Sequence, residues 1–219
     1  MESYYDQEYF AWQKKIGELA VLCDAWKFSG FIGPDSVVLD FGCGGGYFLA
    51  GYHCKGKYGV EINPKAREIA LRNGIVAVDS VEALPGNLRF DLIMSNHALE
   101  HVHNPLETLR SLRGRLKEDG KIVFYVPLKA WRNERTYDEK DVNQHLYCWT
   151  PLLLGNLFAI AGFKVERTCI VTHAWLPLSR YLGRMPKFLY HTFCYFWSIL
   201  SGVRQTMIVA RSNEVHRSQ

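Results

Sequence analysis

Nine consecutive residues, Val38-Leu39-Asp40-Phe41-Gly42-Cys43-Gly44-Gly45-Gly46, carry the most specific chemistry in the chain, together with Glu61, which stands 21 residues after Asp40. An apolar run that stops at a glycine cluster reads as a strand turning into a helix, and glycine there lets a ligand come close to the backbone. A carboxylate at the end of the next strand can accept both hydroxyls of a ribose. The combination points to a nucleoside-bearing cofactor. A dinucleotide fingerprint is excluded, because Tyr47 occupies the place of the third glycine when GxGxxG is counted from Gly42. A phosphate-cradling loop is excluded as well, since no Gly-Lys-Ser/Thr follows. Asp40, ahead of the glycines, would repel a pyrophosphate and attract an amino group.

The elements that must hold these residues alternate. Ser36–Phe41, Lys57–Glu61, Ile75–Val78, Phe90–Ser95 and Lys121–Val126 read as strands. Between them, Tyr47–His53 has room for about two helical turns, Asn63-Pro64 opens a helix that runs to Arg72, and Pro105–Lys117 forms a charged helix that stops before Asp119-Gly120. An amphipathic helix over 7–28 precedes them, with Phe10, Ile16, Leu19, Ala20, Cys23 and Trp26 on its apolar side. After Pro127 come a polar, aromatic-dotted stretch, a helix from Pro151 to Ala161, and strands over Phe163–His173 and Thr206–Arg211. Strands alternating with helices imply a parallel sheet covered on both faces, an α/β doubly wound fold.

The segments VLDFGCGGG (38–46), YGVEINP (58–64), VDSVEALP (78–85), FDLIMSNHALEHV (90–102) and LRGRLKEDGKIVFYVP (112–127) follow one another in an order and spacing that resembles the class I S-adenosylmethionine-dependent methyltransferases. The resemblance implies a Rossmann-like seven-stranded sheet of order 3-2-1-4-5-7-6, mostly parallel with an antiparallel last strand, Thr206–Arg211 being that strand. It also implies a role for each matched residue. Gly42, Cys43 and Gly44 would lay backbone beside the methionine portion of S-adenosylmethionine, with Asp40 near its amino group. Glu61 would hold the ribose hydroxyls and Ile62 would lie against the adenine. Asp79 would accept from the adenine amino group with Ser80 beside it, and Asn96 and His97 would border the methionine portion and the sulfonium.

His97-Ala98-Leu99-Glu100-His101 also spells HxxEH, which on a helix would present two histidines to a zinc ion. A zinc site needs a further ligand, and the sequence supplies none specifically, so no metal is expected. Methyl transfer needs little beyond alignment and a proton acceptor. His145, on the segment after the fifth strand, suits that role because an ordinary imidazole titrates near neutrality; ordering the loop through hydrogen bonds is its other reading. Asn96-His97-Ala98 lacks the Asn-Pro-Pro-Tyr of amino-directed nucleic-acid and glutamine methyltransferases. A small-molecule hydroxyl is therefore expected ahead of amine or carbon acceptors. A non-catalytic S-adenosylmethionine-binding or scaffold protein is the alternative.

The 219 residues fit one elaborated domain: a helical cap over 1–35, a cofactor core over 36–127 and acceptor-side elements over 128–219. Six cysteines without a CxxC pair, and an N-terminus with no basic and apolar leader, fit a cytoplasmic address. The net charge of +4 divides into −2 over residues 1–126 and +6 over 127–219, but the basic residues are scattered and no nucleic-acid partner is expected. The uncharged run Phe188–Val203 is too short to cross a membrane. As a helix it carries Leu189, Phe193, Phe196, Leu200 and Val203 on one side and His191, Ser198 and Ser201 on the other. Ordinary packing between the last two strands is expected first; the stripe on the sheet with the weaker side walling an acceptor pocket or self-associating is a second reading, and contact with an anionic membrane a third.

Overall fold

A computed structural model describes residues 17, 19–128, 136–139, 141 and 143–213. Seven strands, β1 (Val37–Phe41), β2 (Gly56–Val60), β3 (Val76–Val78), β4 (Phe90–Asn96), β5 (Leu116–Leu128), β6 (Phe163–Val171) and β7 (Arg204–Ser212), form one sheet of order β3-β2-β1-β4-β5-β7-β6. β1 through β5 pair in parallel, and β7 runs antiparallel to both β5 and β6. The helices are α1 (Trp26–Ser29), α2 (Tyr47–Ala50), α3 (Pro64–Arg72), α4 (Pro105–Arg113), α5 (Pro151–Ile160), α6 (Ser179–Leu182) and α7 (Lys187–Ser201).

Side chains alternate across a strand, so a sheet buried on both faces needs apolar residues at every position. Leu39, Ile93, Ile122, Phe124 and Ile208 point to one face, where Leu109 and Leu112 of α4 and Leu154 and Phe158 of α5 cover them. Their neighbours Val38, Leu92, Met94, Val123, Met207 and Val209 point to the other, against Phe28, Phe48, Leu49 and Ala70. Three of the helices begin in one way. Asn63, Asn104 and Thr150 each accept a backbone N–H of the first turn through the side chain, and a proline follows each of them.

Several boundaries differ from the sequence expectation. α2 is a single turn rather than two, and α4 ends at Arg113 rather than Lys117. Gly114 caps α4, and residues 116–120 already belong to β5, where a Cβ on Gly120 would come within 2.6 Å of the Phe90 carbonyl oxygen. Residues 7–16 and 18 of the expected first helix lie outside the described residues. The visible part of that helix breaks at Ala25, and it buries Asp24 and Lys27 while Trp26 stands outward. The larger correction concerns α7. Its buried residues are Tyr190, Cys194 and Ser198, so the stripe of Leu189, Phe193, Phe196, Leu200 and Val203 faces away from the protein. Tyr190 explains the orientation: its hydroxyl is held between Ser179 and Cys23, and Ser198 is tied to the Val203 carbonyl. Polar anchoring chose the face that was buried.

Candidate active site

β1, β2, β3 and β4 run in parallel, so their carboxyl ends share one edge, the place where open α/β sheets bind ligands. The amides of Gly42 and Cys43 both donate to the Val60 carbonyl, at 2.8 and 3.1 Å, and tie the turn after β1 to the end of β2. Gly42, Gly44 and Gly46 all take positive φ, at 77°, 52° and 71°, a conformation in which a β-carbon is strained. Gly42 packs so closely on the loop after β4 that a Cβ would lie 2.3 Å from that of Ala98. Beside Gly44 the space is open, with no atom of the described residues beyond its chain neighbours within 4 Å of the place a Cβ would take. Cys43 turns its sulfur inward against Gly59, and burial pushes its thiol far above the ordinary range, so it contributes backbone rather than a nucleophile.

Glu61 lies one residue beyond β2. Its Oε2 accepts from the Gly44 amide at 2.9 Å and its Oε1 from the Asn63 amide at 2.8 Å. Burial raises its pKa, and those two donors oppose the shift. Each oxygen keeps a further acceptor position. Asp40, at the end of β1, is buried, and burial and the Glu61 charge raise its pKa to about 7. No basic group among the described residues offsets this, so an ammonium placed there would satisfy it. Ile62 is 67% exposed, an apolar side chain standing free beside Glu61. The Glu61 amide donates to the Val78 carbonyl at 2.9 Å, which brings the end of β3 alongside. There Ser80 donates to the Asp79 carboxylate at 3.1 Å and accepts the Ala83 amide.

Asn96 closes β4, and His97 follows with φ of 60°, its amide donating to the Tyr125 carbonyl at 2.9 Å. The ten residues expected around the cofactor thus share one edge of the sheet. Their chemistry fits S-adenosylmethionine: open backbone at Gly44, a buried carboxylate with a raised pKa at Asp40, acceptors at Glu61 and an exposed apolar side chain at Ile62.

Sequence reasoning missed Lys27. Its buried ammonium donates to Asp24 at 2.8 Å, to Asn96 at 2.9 Å and to Gln205 at 2.7 Å, so all three of its protons are used. Burial pulls the Lys27 pKa down, while Lys27 holds the Asp24 carboxyl low. The Asp24–Lys27 spacing inside an apolar helix was the available signal.

Residues 99–101 form one 3-10 turn, not the helix that an HxxEH zinc site requires. Glu100 is wholly buried, and neither carboxylate oxygen has a hydrogen bond among the described residues. His97 Nδ1 lies 3.5 Å and His145 Nε2 3.8 Å from its Oε1, distances of ion pairing rather than hydrogen bonding. The His101 and His145 rings stand 4.9 Å apart, and the Leu146 amide donates to the Glu100 carbonyl at 2.9 Å, clamping the His145 loop over the end of β4. Atoms of Glu100, His101 and His145 that could hold a metal lie within 4.8 Å of one another.

Residues 15–168 match the family model of the methyltransferase domain. No curated protein matches the chain. Among solved structures, a Haloferax volcanii methyltransferase in complex with its activator Trm112 superposes with a TM-score of 0.70 at 16% identity, covering 94% of this chain and 99% of that one. A SAM-dependent methyltransferase from Archaeoglobus fulgidus gives 0.64 at 21% identity, covering 94% and 100%. The 1,6-didemethyltoxoflavin-N1-methyltransferase of Burkholderia thailandensis, solved with its substrate and S-adenosylhomocysteine, gives 0.59 at 21%, covering 97% and 85%. These likenesses carry the fold, and the family match carries the chemistry: the chain belongs to the methyltransferase-domain family and is a class I S-adenosylmethionine-dependent methyltransferase.

Proposed function

We propose that this enzyme methylates a hydroxyl oxygen of a small-molecule acceptor, with His145 taking up the proton. The observation that supports it most is the placement of the His145 imidazole 3.8 Å from the wholly buried Glu100 carboxylate. A carboxylate at that range stabilises the imidazolium formed when a hydroxyl gives up its proton. Bound S-adenosylmethionine supplies an activated methyl group on its sulfonium. In this reading, Gly42, Cys43 and Gly44 lie along the methionine portion, Asp40 takes its ammonium, and Glu61 accepts the ribose hydroxyls. Ile62, Asp79 and Ser80 hold the adenine, and Asn96 and His97 border the reacting end. Residues 36–127 form the cofactor half and 128–219 the acceptor side of one domain.

Release of S-adenosylhomocysteine across a panel of phenols, alcohols, amines and carbon nucleophiles tests the proposal. Turnover with a hydroxyl compound supports it. Turnover confined to amines or carbon acids overturns the acceptor assignment, and cofactor binding without release on any acceptor favours a non-catalytic protein.

A further inference from the structure

We propose that α7 is an interfacial anchor that seats the enzyme on an anionic lipid surface. Every residue of α7 that is exposed between Phe188 and Leu200 is a large apolar or aromatic one, among them Phe193, Tyr195, Phe196 and Trp197. Phe188 and Leu200, near the helix ends, are 79% and 80% exposed. The segment before the helix continues the surface with Leu178, Tyr181 and Leu182. A cavity of about 390 Å³, whose walls include Leu182, Met185, Phe193 and Phe196, opens into the same patch. Scattered apolar residues need no explanation on a protein surface, but a continuous apolar helix face marks an interaction site.

Charge identifies the occupant. Between Glu166 and Glu214 the chain has no acidic residue and six basic ones. Arg180 and Arg184 are exposed ahead of the helix, Lys187 is its exposed first residue, with its ammonium on the Leu22 carbonyl, and Arg204 is exposed just after it. A symmetric contact between two copies would bring these cations toward one another with no carboxylate from the segment to receive them. An anionic headgroup layer receives them directly, while the apolar face enters the acyl boundary and Tyr and Trp sit at headgroup level. The helix has 15 residues, and no helix among the described residues is long and apolar enough to cross a membrane, so α7 lies on the surface.

The anchor is joined to the catalytic edge. His191 of α7 meets His173 at 3.1 Å, His173 lies 4.0 Å from Asp24, and Asp24 holds the lysine that holds Asn96. Docking would thus place the edge where β4 ends close to a lipid phase, from which an apolar acceptor could be drawn. This inference does not rest on the acceptor or on His145.

Sedimentation of the full chain with vesicles tests it, using phosphatidylcholine alone and phosphatidylcholine mixed with phosphatidylglycerol. Binding to the anionic vesicles, weakened by salt, is expected, with a blue shift of tryptophan fluorescence on their addition. F196E/L200E should reduce binding by about tenfold or more, and R180E/R184E by a similar factor. Both pairs are exposed, so circular dichroism and S-adenosylmethionine binding should be unchanged. Absence of binding to anionic vesicles at low salt overturns the proposal. So does equal binding by the wild type and F196E/L200E, or a dimer that dissociates in F196E/L200E without any vesicle binding.

Discussion

The Gly44 amide donates to Oε2 of Glu61 at 2.9 Å, so the turn after β1 and the carboxylate after β2 are locked together without a ligand. Glu61→Ala should therefore weaken S-adenosylmethionine binding by about 1–3 kcal/mol, the range for hydrogen bonds to a charged group. It should also lower thermal stability, since two amides lose their acceptor. Glu61→Gln keeps an acceptor oxygen and should lose less of both. Calorimetry on the folded variants checks the order; unchanged affinity in Glu61→Ala would reject the ribose assignment.

Cofactor affinity should depend on pH through Asp40. Burial and Glu61 raise its pKa to about 7, and the ammonium of the cofactor favours its ionised form. Binding below pH 7 then releases a proton, so affinity rises as pH increases toward 7 and levels off above it. Titrations in buffers of different ionisation enthalpy measure that proton directly. Asp40→Asn should abolish the release along with much of the affinity.

His145→Ala should lower turnover at saturating acceptor by about a hundredfold or more while leaving cofactor affinity nearly unchanged. Glu100→Gln keeps the shape and removes the charge, so it should shift the acid limb of the pH–rate profile as well as lower turnover. Equal turnover of His145→Ala and wild type across the pH range would exclude an essential base.

Dialysis against a chelator should leave cofactor binding and activity intact. Fold brings His145 to Glu100 and His101, a juxtaposition that the sequence did not reveal, and elemental analysis of the purified protein reads it directly. Stoichiometric zinc lost together with activity would reassign those residues as ligands.

Stability should fall on acidification through His173. Burial lowers its pKa from 6.5 to about 4, and its Nδ1 has no hydrogen-bond partner among the described residues. The unfolded state binds the proton first, so the neutral folded form keeps its full stability above pH 6.5 and loses up to about 3 kcal/mol as pH falls to 4. Asp40 acts with the opposite sign over part of that window, its protonation relieving a penalty. The measurement is therefore the difference between wild type and His173→Gln, whose melting temperatures should diverge as pH rises from 4 to 6.5.

The gathering of Asp40, Glu61, Asp79 and Asn96 at one sheet edge was legible in the sequence because each closes or follows a strand whose apolar run announces it, and the runs keep the spacing of a doubly wound sheet. Glu61, Asp79 and Asn96 needed only that topology to be placed together. Of the Lys27 site only the spacing from Asp24 was legible: its partners Asn96 and Gln205 come from distant strands, and a lysine in an amphipathic helix reads as solvent-facing. The orientation of α7 was hidden for a related reason. Apolar periodicity favours burying Leu189, Phe193 and Phe196, but the Tyr190 hydroxyl reaches its partners Ser179 and Cys23 only if the opposite side turns inward.

The position of β7 between β5 and β6 sets an order of events during synthesis. β6 pairs with β7 alone, and β5 offers its free edge to the same strand. Until the ribosome has delivered residues 204–212, β6 has no neighbour and an apolar edge of β5 stays open, a state prone to pairing with other chains. The Lys27 ammonium is likewise one acceptor short until Gln205 arrives. The parallel strands β1 to β4 can pair early, whereas β6 joins the sheet only once β7 is made.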